Sequence, residues 1–340
     1  MIGLNGTTAP RITVAMCVFN GAQYLQEAID SILNQTETDF EFLILDDGST
    51  DETPSILAGQ TDSRIRVLAS DTNQGLAAGL NRILSEARGH YIARMDADDI
   101  SLPGRFQLQA DFLDSHPDIA LVGTAFTLFE SATGEDFKIM RRPERPGEVS
   151  VLLGIASQVC HPAAMFRREF ALAVGGYRPK MGIAEDYDFW LRLRERFRLA
   201  NLDNVLYRVR WHDRRVSNAR LNQQIAYSRL ALMLAYERRL LGEDSLELLT
   251  PEEIEAMFDG GIPEPRRGSP TERARVIREW KRIAYWHDPR APEKGLIKRL
   301  GRWPLDFEAW LTLAVLTRVQ LRWKLAPVRY LTPSGKCLKR

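Results

Sequence analysis

The sequence predicts an α/β protein: a mostly parallel sheet flanked by helices, with a helical appendage at the C-terminal end. Three observations carry that expectation. Apolar runs rich in β-formers alternate with amphipathic segments from residue 12 to residue 129, at the spacing of strand–helix–strand units. The first of those runs, residues 12–19, is apolar on both faces, as a strand covered on both sides is. From about residue 219 strand signals stop and helical periodicity takes over.

ITVAMCVF (residues 12–19) reads as a buried strand, followed by a helix from Gly21 to about Leu33 with Tyr24, Leu25, Ala28, Ile29 and Ile32 on one face. FEFLILDD (40–47) is a second strand ending in two aspartates. Gly48, Ser49 and Thr50 then turn the chain, and Asp51 can cap a short helix. RIRVLA (64–69) is a third strand, residues 75–87 a helix ending at Gly89, and HYIARM (90–95) a fourth strand running into Asp96. Ser101 is expected to cap a helix with Pro103 in its first turn, ending near His116-Pro117, before a fifth strand at 119–129. Later, residues 187–196 form an amphipathic helix opened by Glu185 and Asp186, VLYRVRW (205–211) alternates like a strand, and residues 259–270 read as a Pro/Gly-rich linker. A catalytic domain is expected over residues 1–220, with a helical region of unassigned role over 221–340.

At 340 residues, 44% hydrophobic and 27% charged, the chain is neither disordered, collagenous nor multi-spanning. Cys17, Cys160 and Cys337 show no CxxC spacing, which excludes a disulfide framework or a zinc site and suits a reducing compartment. The N-terminus has no charged start followed by an apolar run, and the apolar stretch 309–317 is too short to span a bilayer. A cytoplasmic setting is therefore expected. Charge is uneven: residues 1–150 hold 11 Lys+Arg against 23 Asp+Glu, and residues 151–340 hold 35 against 22. An acidic half suits a divalent cation and a basic half suits phosphates.

In a parallel sheet, ligands bind beyond the carboxyl ends of the strands. Here those ends carry Asn20, then Asp46 and Asp47, then Asp96 to Asp99. Asp96 and Asp98, spaced i, i+2 in a turn, can both reach one Mg²⁺ or Mn²⁺, which favour oxygen ligands. The competing reading makes Asp98 or Asp99 a plain helix cap. Taken alone, the triplet favours the cap.

The ordered set VAMCVFN (14–20), LILDDGSTDET (43–53), ARMDADDISLP (93–103) and AEDYDFWLRL (184–193) reverses that preference. In this order the chain closely resembles the family 2 glycosyltransferases of the GT-A, Rossmann-like fold, over about residues 11–217. The resemblance implies that Cys17 and Phe19 line the nucleotide pocket, that Asp47 accepts a hydrogen bond from the base, and that Asp96 lies near the ribose. It implies that Asp98 ligates a divalent metal, Mn²⁺ or Mg²⁺, on the diphosphate, and that His212 contacts the metal or the diphosphate; the competing reading of His212 is a plain loop histidine. Glu185-Asp186 resembles the pair supplying the catalytic base; Asp186 is the first choice and Glu185 the second. His161-Pro162 matches a position near the acceptor but can equally be structural.

The implied activity is inverting transfer of a sugar from a nucleotide-diphosphate donor to a glycan or lipid-linked acceptor, in cell-surface polysaccharide or glycolipid synthesis. The alternative is a non-catalytic nucleotide-sugar binder of the same fold. No GxGxxG follows the first strand, which excludes a dinucleotide-binding dehydrogenase, and no nucleic-acid partner is expected. Residues 273–340 hold 17 Lys+Arg, 5 Asp+Glu and five tryptophans, a composition that suits an anionic inner-membrane surface. Residues 305–325 lack one clean apolar face, so packing on the catalytic domain or a homodimer contact is preferred over membrane attachment.

Overall fold

The protein is described by a computed structural model covering residues 9–211, 221–259 and 261–286. The strands are β1 (Ile12–Val18), β2 (Phe40–Asp46), β3 (Ile65–Ala69), β4 (Tyr91–Met95), β5 (Ile100–Ser101), β6 (Ile119–Glu130), β7 (Asp136–Met140), β8 (Met165–Arg167) and β9 (Arg198–Trp211). Helices α1 (Ala22–Leu33), α2 (Thr53–Ala58), α3 (Leu76–Glu86) and α4 (Arg105–Ser115) cross between the early strands. α5 (Pro146–Leu152), α6 (Arg168–Ala173) and α7 (Glu185–Arg194) follow, then α8 (Leu221–Leu241), α9 (Pro251–Ala256) and α10 (Pro270–Trp286).

The strands form one sheet in the order β3-β2-β1-β4-β8-β6-β9-β5, with β7 paired to β6. β1 to β4 are parallel, as the apolar runs predict. Beyond β4 the sheet is mixed: β8 is antiparallel to both β4 and β6, while β6 and β9 run parallel. A three-residue strand such as β8, or a two-residue one such as β5, is too short to show alternation. β9 is also twice as long as its alternating segment, because its first half is read only through its pairing with β6.

One cap expectation is corrected. Ser101 sits in β5, and α4 begins after Gly104, whose φ of 81° needs a glycine. The Ser101 hydroxyl instead accepts from Gln35 Nε2 at 3.2 Å, tying β5 to α1.

Alternate residues of β1 split between two cores. Val14, Met16 and Val18 pack with Leu25, Ile29 and Ile32 of α1 and Phe106 of α4. Ala15, with Leu43 and Leu45 of β2, faces Leu80, Ile83 and Leu84 of α3. This second core continues through Phe189 and Trp190 of α7 to Leu230, Met233 and Leu234 of α8. Trp280 of α10 is fully buried there, its indole N–H donating to Met233 O at 2.8 Å. Buried charges lock the same layers: Asp188 of α7 pairs with Arg178 and with Arg192 Nε at 2.9 Å, and Asp244 pairs with Arg178 at 2.8 Å and with Arg238. Of the basic, tryptophan-rich segment, residues 287–340 lie outside the described residues. No helix among the described residues is long and apolar enough to cross a membrane.

Candidate active site

The carboxyl ends of β1, β2 and β4 meet at one edge, since Val18 is level with Asp46 and Met16 with Met95. Past β1 the chain turns at Asn20, a non-glycine at φ 51°. Its side-chain oxygen accepts from Thr50 N at 2.8 Å, and its own N–H donates to Ser49 Oγ at 2.9 Å. Asp51 accepts from the first N–H of two helices, Thr53 N at 3.0 Å and Ala22 N at 3.1 Å. These bonds hold the DDGST turn against the end of β1.

Asp47 is buried, and its two oxygens accept from Gln74 N at 3.0 Å and Gly75 N at 2.8 Å. It therefore clasps the loop before α3, while each oxygen keeps a lone pair for a further donor. The Cys17 thiol packs against Gly79 of α3, where a Cβ would lie 2.5 Å from Sγ. Burial, then the Asp47 charge, push this thiol up to about 12, so it is a neutral packing group. Phe19 stands 48% exposed at the strand end, an aromatic surface open to a flat ligand.

Asp96, Asp98 and Asp99 form an oxygen-only cluster whose candidate ligand atoms all lie within 4.8 Å of one another, a donor set suited to a hard divalent cation. Asp96 accepts from Arg94 Nη2 at 2.6 Å, and its backbone N–H donates to the Tyr207 hydroxyl at 3.2 Å. Asp99 is buried and accepts from the backbone N–H of Arg210 at 2.8 Å, while Arg210 Nε donates to Asp98 O at 2.7 Å. Arg210 is itself fixed by Glu27 and lies 4.3 Å from the Tyr24 ring centroid. β9 thus clamps the loop that carries the cluster.

Glu185 and Asp186 open α7, where the helix N-terminus favours their charge. Burial opposes it. Burial first, then the neighbouring Asp186 charge, push Glu185 up; burial pushes Asp186 up as well, against the N–H of Tyr187 at 2.6 Å. Asp96 raises both and the Arg94 guanidinium lowers both, which sets the two carboxyls and the acidic loop within one electrostatic field. His161 Nδ1 lies 4.0 Å from Glu185 Oε1, and its Nε2 is 3.1 Å from the Tyr177 hydroxyl. Burial holds this imidazole neutral, its pKa well below the usual value.

The family model "Glycosyl transferase family 2" matches residues 13–174. EpsE of Bacillus subtilis, which bears a glycosyltransferase name, is 36% identical over 209 residues, covering 60% of this chain and 74% of its own length. The chain belongs to glycosyl transferase family 2. The O-antigen biosynthesis glycosyltransferase WbnJ of Escherichia coli is 32% identical over 216 residues, with 62% and 83% covered. Among solved structures, TarS 1-349 of S. aureus in complex with UDP-GlcNAc superposes with a TM-score of 0.57 at 17% identity, over 97% of this chain and 96% of that one. PcManGT of Pyrobaculum calidifontis, in complex with GDP-Man and Mn²⁺, gives 0.52 at 18% identity, over 94% and 82%. The fold is therefore GT-A.

Within this family 2 transferase the structure brings Cys17, Asp47, Asp96, Asp98, Glu185 and Asp186 to one edge, with Phe19 on its rim. His212 lies outside the described residues. Three contributors escape a reading of the chain: Asp99 as the third carboxylate, Arg94 as the buried countercharge and Arg210 as the clamp. The one signal for Arg94 was a charge inside the otherwise apolar strand HYIARM.

Proposed function

We propose that this transferase moves a sugar from a nucleotide-diphosphate donor to an acceptor hydroxyl with inversion, in the synthesis of cell-surface polysaccharide or glycolipid. The observation that carries it is the joint placement of the Asp96–Asp99 cluster and the Glu185-Asp186 pair around Arg94 at one sheet edge. One carboxylate base and an acidic cluster able to hold a cation at the leaving diphosphate are what a single in-line displacement needs. The names of WbnJ (O-antigen) and of AmsE from Erwinia amylovora (amylovoran) support the polymer context. The ligands of TarS and PcManGT support a nucleotide-sugar donor.

Asp98, with Asp96 and Asp99, would hold Mn²⁺ or Mg²⁺, which neutralises charge developing on a diphosphate leaving group when bound. His212 is proposed to complete that contact. Cys17 and Phe19 would border the nucleotide, Asp47 would accept from its base, and Asp96 would approach the ribose. Asp186 is assigned as the base that takes the acceptor proton as the hydroxyl attacks the anomeric carbon. It is the more exposed and the less strongly raised of the two carboxyls, so it ionises first. Glu185, the more strongly raised carboxyl, lies beside neutral His161 and is the second choice for the base.

Residues 1–220 are read as the transferase domain and 221–340 as an appended region whose described helices share its core. A cytoplasmic enzyme peripheral to the inner membrane, through the basic tail or a homodimer contact, completes the proposal. Calorimetric titration of UDP and GDP, with Mn²⁺ and then with EDTA, tests the reading: metal-dependent binding of one nucleotide is expected. Absence of binding by either would refute it.

A further inference from the structure

Beside the Glu185-Asp186 opening of α7 stands a buried pair, Tyr177 and His161, that the assigned roles leave without a task. Its geometry is tightly set. The Tyr177 N–H donates to Asn81 Oδ1 at 2.8 Å, and its carbonyl accepts from Asn81 Nδ2 at 2.8 Å. Both ends of one amide on α3 thus grip the Tyr177 backbone, while its ring packs on Phe189 of α7 with centroids 4.5 Å apart. His161 opens a single 3₁₀ turn (His161–Ala163) that leads into β8. Its ring lies edge-on to Trp190 at 5.8 Å and 5.6 Å from the Tyr177 ring.

The pair fixes where one proton sits. Among the described residues the Tyr177 hydroxyl has one hydrogen-bond partner, His161 Nε2 at 3.1 Å. A phenol O–H buried in this way needs an acceptor, so it donates and the Nε2 lone pair receives. Burial first, then the Arg94 charge, keep the imidazole neutral, and a neutral ring whose Nε2 accepts carries its proton on Nδ1. The opposite tautomer leaves the Tyr177 proton without an acceptor. Nδ1 is the nitrogen nearest Glu185, yet its 4.0 Å to Oε1 is too long for a hydrogen bond, and it meets no other acceptor among the described residues. One oxygen about 2.8 Å from each atom closes that gap at roughly a right angle. The two side chains keep 10% and 9% of their surface exposed, so the gap is not sealed. A Glu185 carboxyl keeps an acceptor oxygen whether or not it holds a proton.

We propose that Tyr177 is a positioning residue that holds His161 as its Nδ1–H tautomer, so that this N–H donates to, and Glu185 accepts from, one sugar hydroxyl held beside Asp186. A hydroxyl supplies from a single atom what the gap lacks: an acceptor for Nδ1–H and a donor to the carboxyl oxygen. A sugar without that hydroxyl leaves both nearly buried groups unpaired, so the pair selects for it. Donor and acceptor sugars offer the same O–H chemistry, and the test tells them apart. The inference rests on the transferase reading, and the test separates the two.

Long-range proton–nitrogen NMR of the full-length protein with isotope-labelled histidine reads the tautomer directly, His161 being assigned by the signal that His161→Gln removes. At pH 7 the wild type should show a neutral His161 with its proton on Nδ1, and Tyr177→Phe should abolish that fixed tautomer. Sugars are then added with Mn²⁺: UDP-GlcNAc and GDP-mannose as donors, and methyl β-glucoside, methyl β-galactoside and methyl α-mannoside as acceptors over whichever of UDP or GDP binds. A sugar should shift the His161 Nδ1 signal where the nucleotide alone does not, and the responding arm names the source. In Tyr177→Phe the affinity added by that sugar should fall by up to about tenfold, with nucleotide affinity unchanged. A Tyr177 that only packs would lower the melting temperature and leave the tautomer and the sugar affinity alone. A wild-type His161 that is protonated, or that carries its proton on Nε2, overturns the proposal without any variant. So does an Nδ1 signal that no sugar moves, or a sugar affinity that survives in a folded Tyr177→Phe. Failure of both nucleotides to bind the wild type refutes the transferase reading instead.

Discussion

Glu185→Gln should make the protein more stable at neutral pH while sparing much of its chemistry. Glu185 is buried, and its carboxyl is pushed from 4.5 up to about 8, by burial first and by Asp186 second. The folded protein therefore retains a proton that the unfolded chain releases at lower pH. Stability is then lost as pH rises from the unfolded value through the folded one. Each pH unit within that window costs about 1.4 kcal/mol, so by pH 7 the wild type has given up on the order of 3 kcal/mol. The neutral amide keeps the shape and removes the titration. At pH 7.5 the loss reaches about 4 kcal/mol, so melting should rise by roughly 8–16 °C, taking about 2–4 °C per kcal/mol, and the gain should vanish near pH 4.5. Differential scanning calorimetry of both proteins across pH 4.5–8 measures it. An unchanged or lower melting temperature at pH 7.5 would mean that the Glu185 carboxylate is ionised and satisfied in the folded state. The assignment of Asp186 as the base would then lose its physical support.

Asp186→Asn should cut transfer by on the order of 10²–10⁴ while nucleotide-sugar affinity stays close to wild type; an active Asp186→Asn beside a dead Glu185→Gln would move the base by one residue. With the Asp186 carboxyl pushed up to about 6, kcat/KM should climb with pH through that value as the base loses its proton, and a profile flat from pH 5 to 8 would contradict this. Asp98→Asn should abolish the part of nucleotide binding that EDTA removes, and undiminished affinity would displace the cation from the Asp96–Asp99 loop. Arg210→Met should weaken Mn²⁺ binding, read by the electron-spin signal of the free ion, because Arg210 Nε holds Asp98 O at 2.7 Å. Equal Mn²⁺ affinity would make that clamp purely structural.

The parallel half of the sheet and its acidic rim were legible in the sequence because their signals are local. A strand buried on both faces writes a continuous apolar run, as in residues 12–18 and 40–46, and the carboxylates follow within one or two residues of its end. The opening of α7 at Glu185 was visible for the same reason. Strands such as β8, three residues long and held by partners on both sides, leave no such trace. Nor could the chain announce which charges face each other: Arg210 reaches Asp99 across 111 positions, and His161 approaches Glu185 across a loop and a helix. Asp47 carries a role that the motif alone hides, since its carboxylate is already bonded to two backbone N–H groups of the loop before α3. Periodicity along the chain thus determined which residues stand at the ends of the strands. Only tertiary burial decided which carboxyls keep their protons, because desolvation and countercharge belong to the assembled edge and to no single segment.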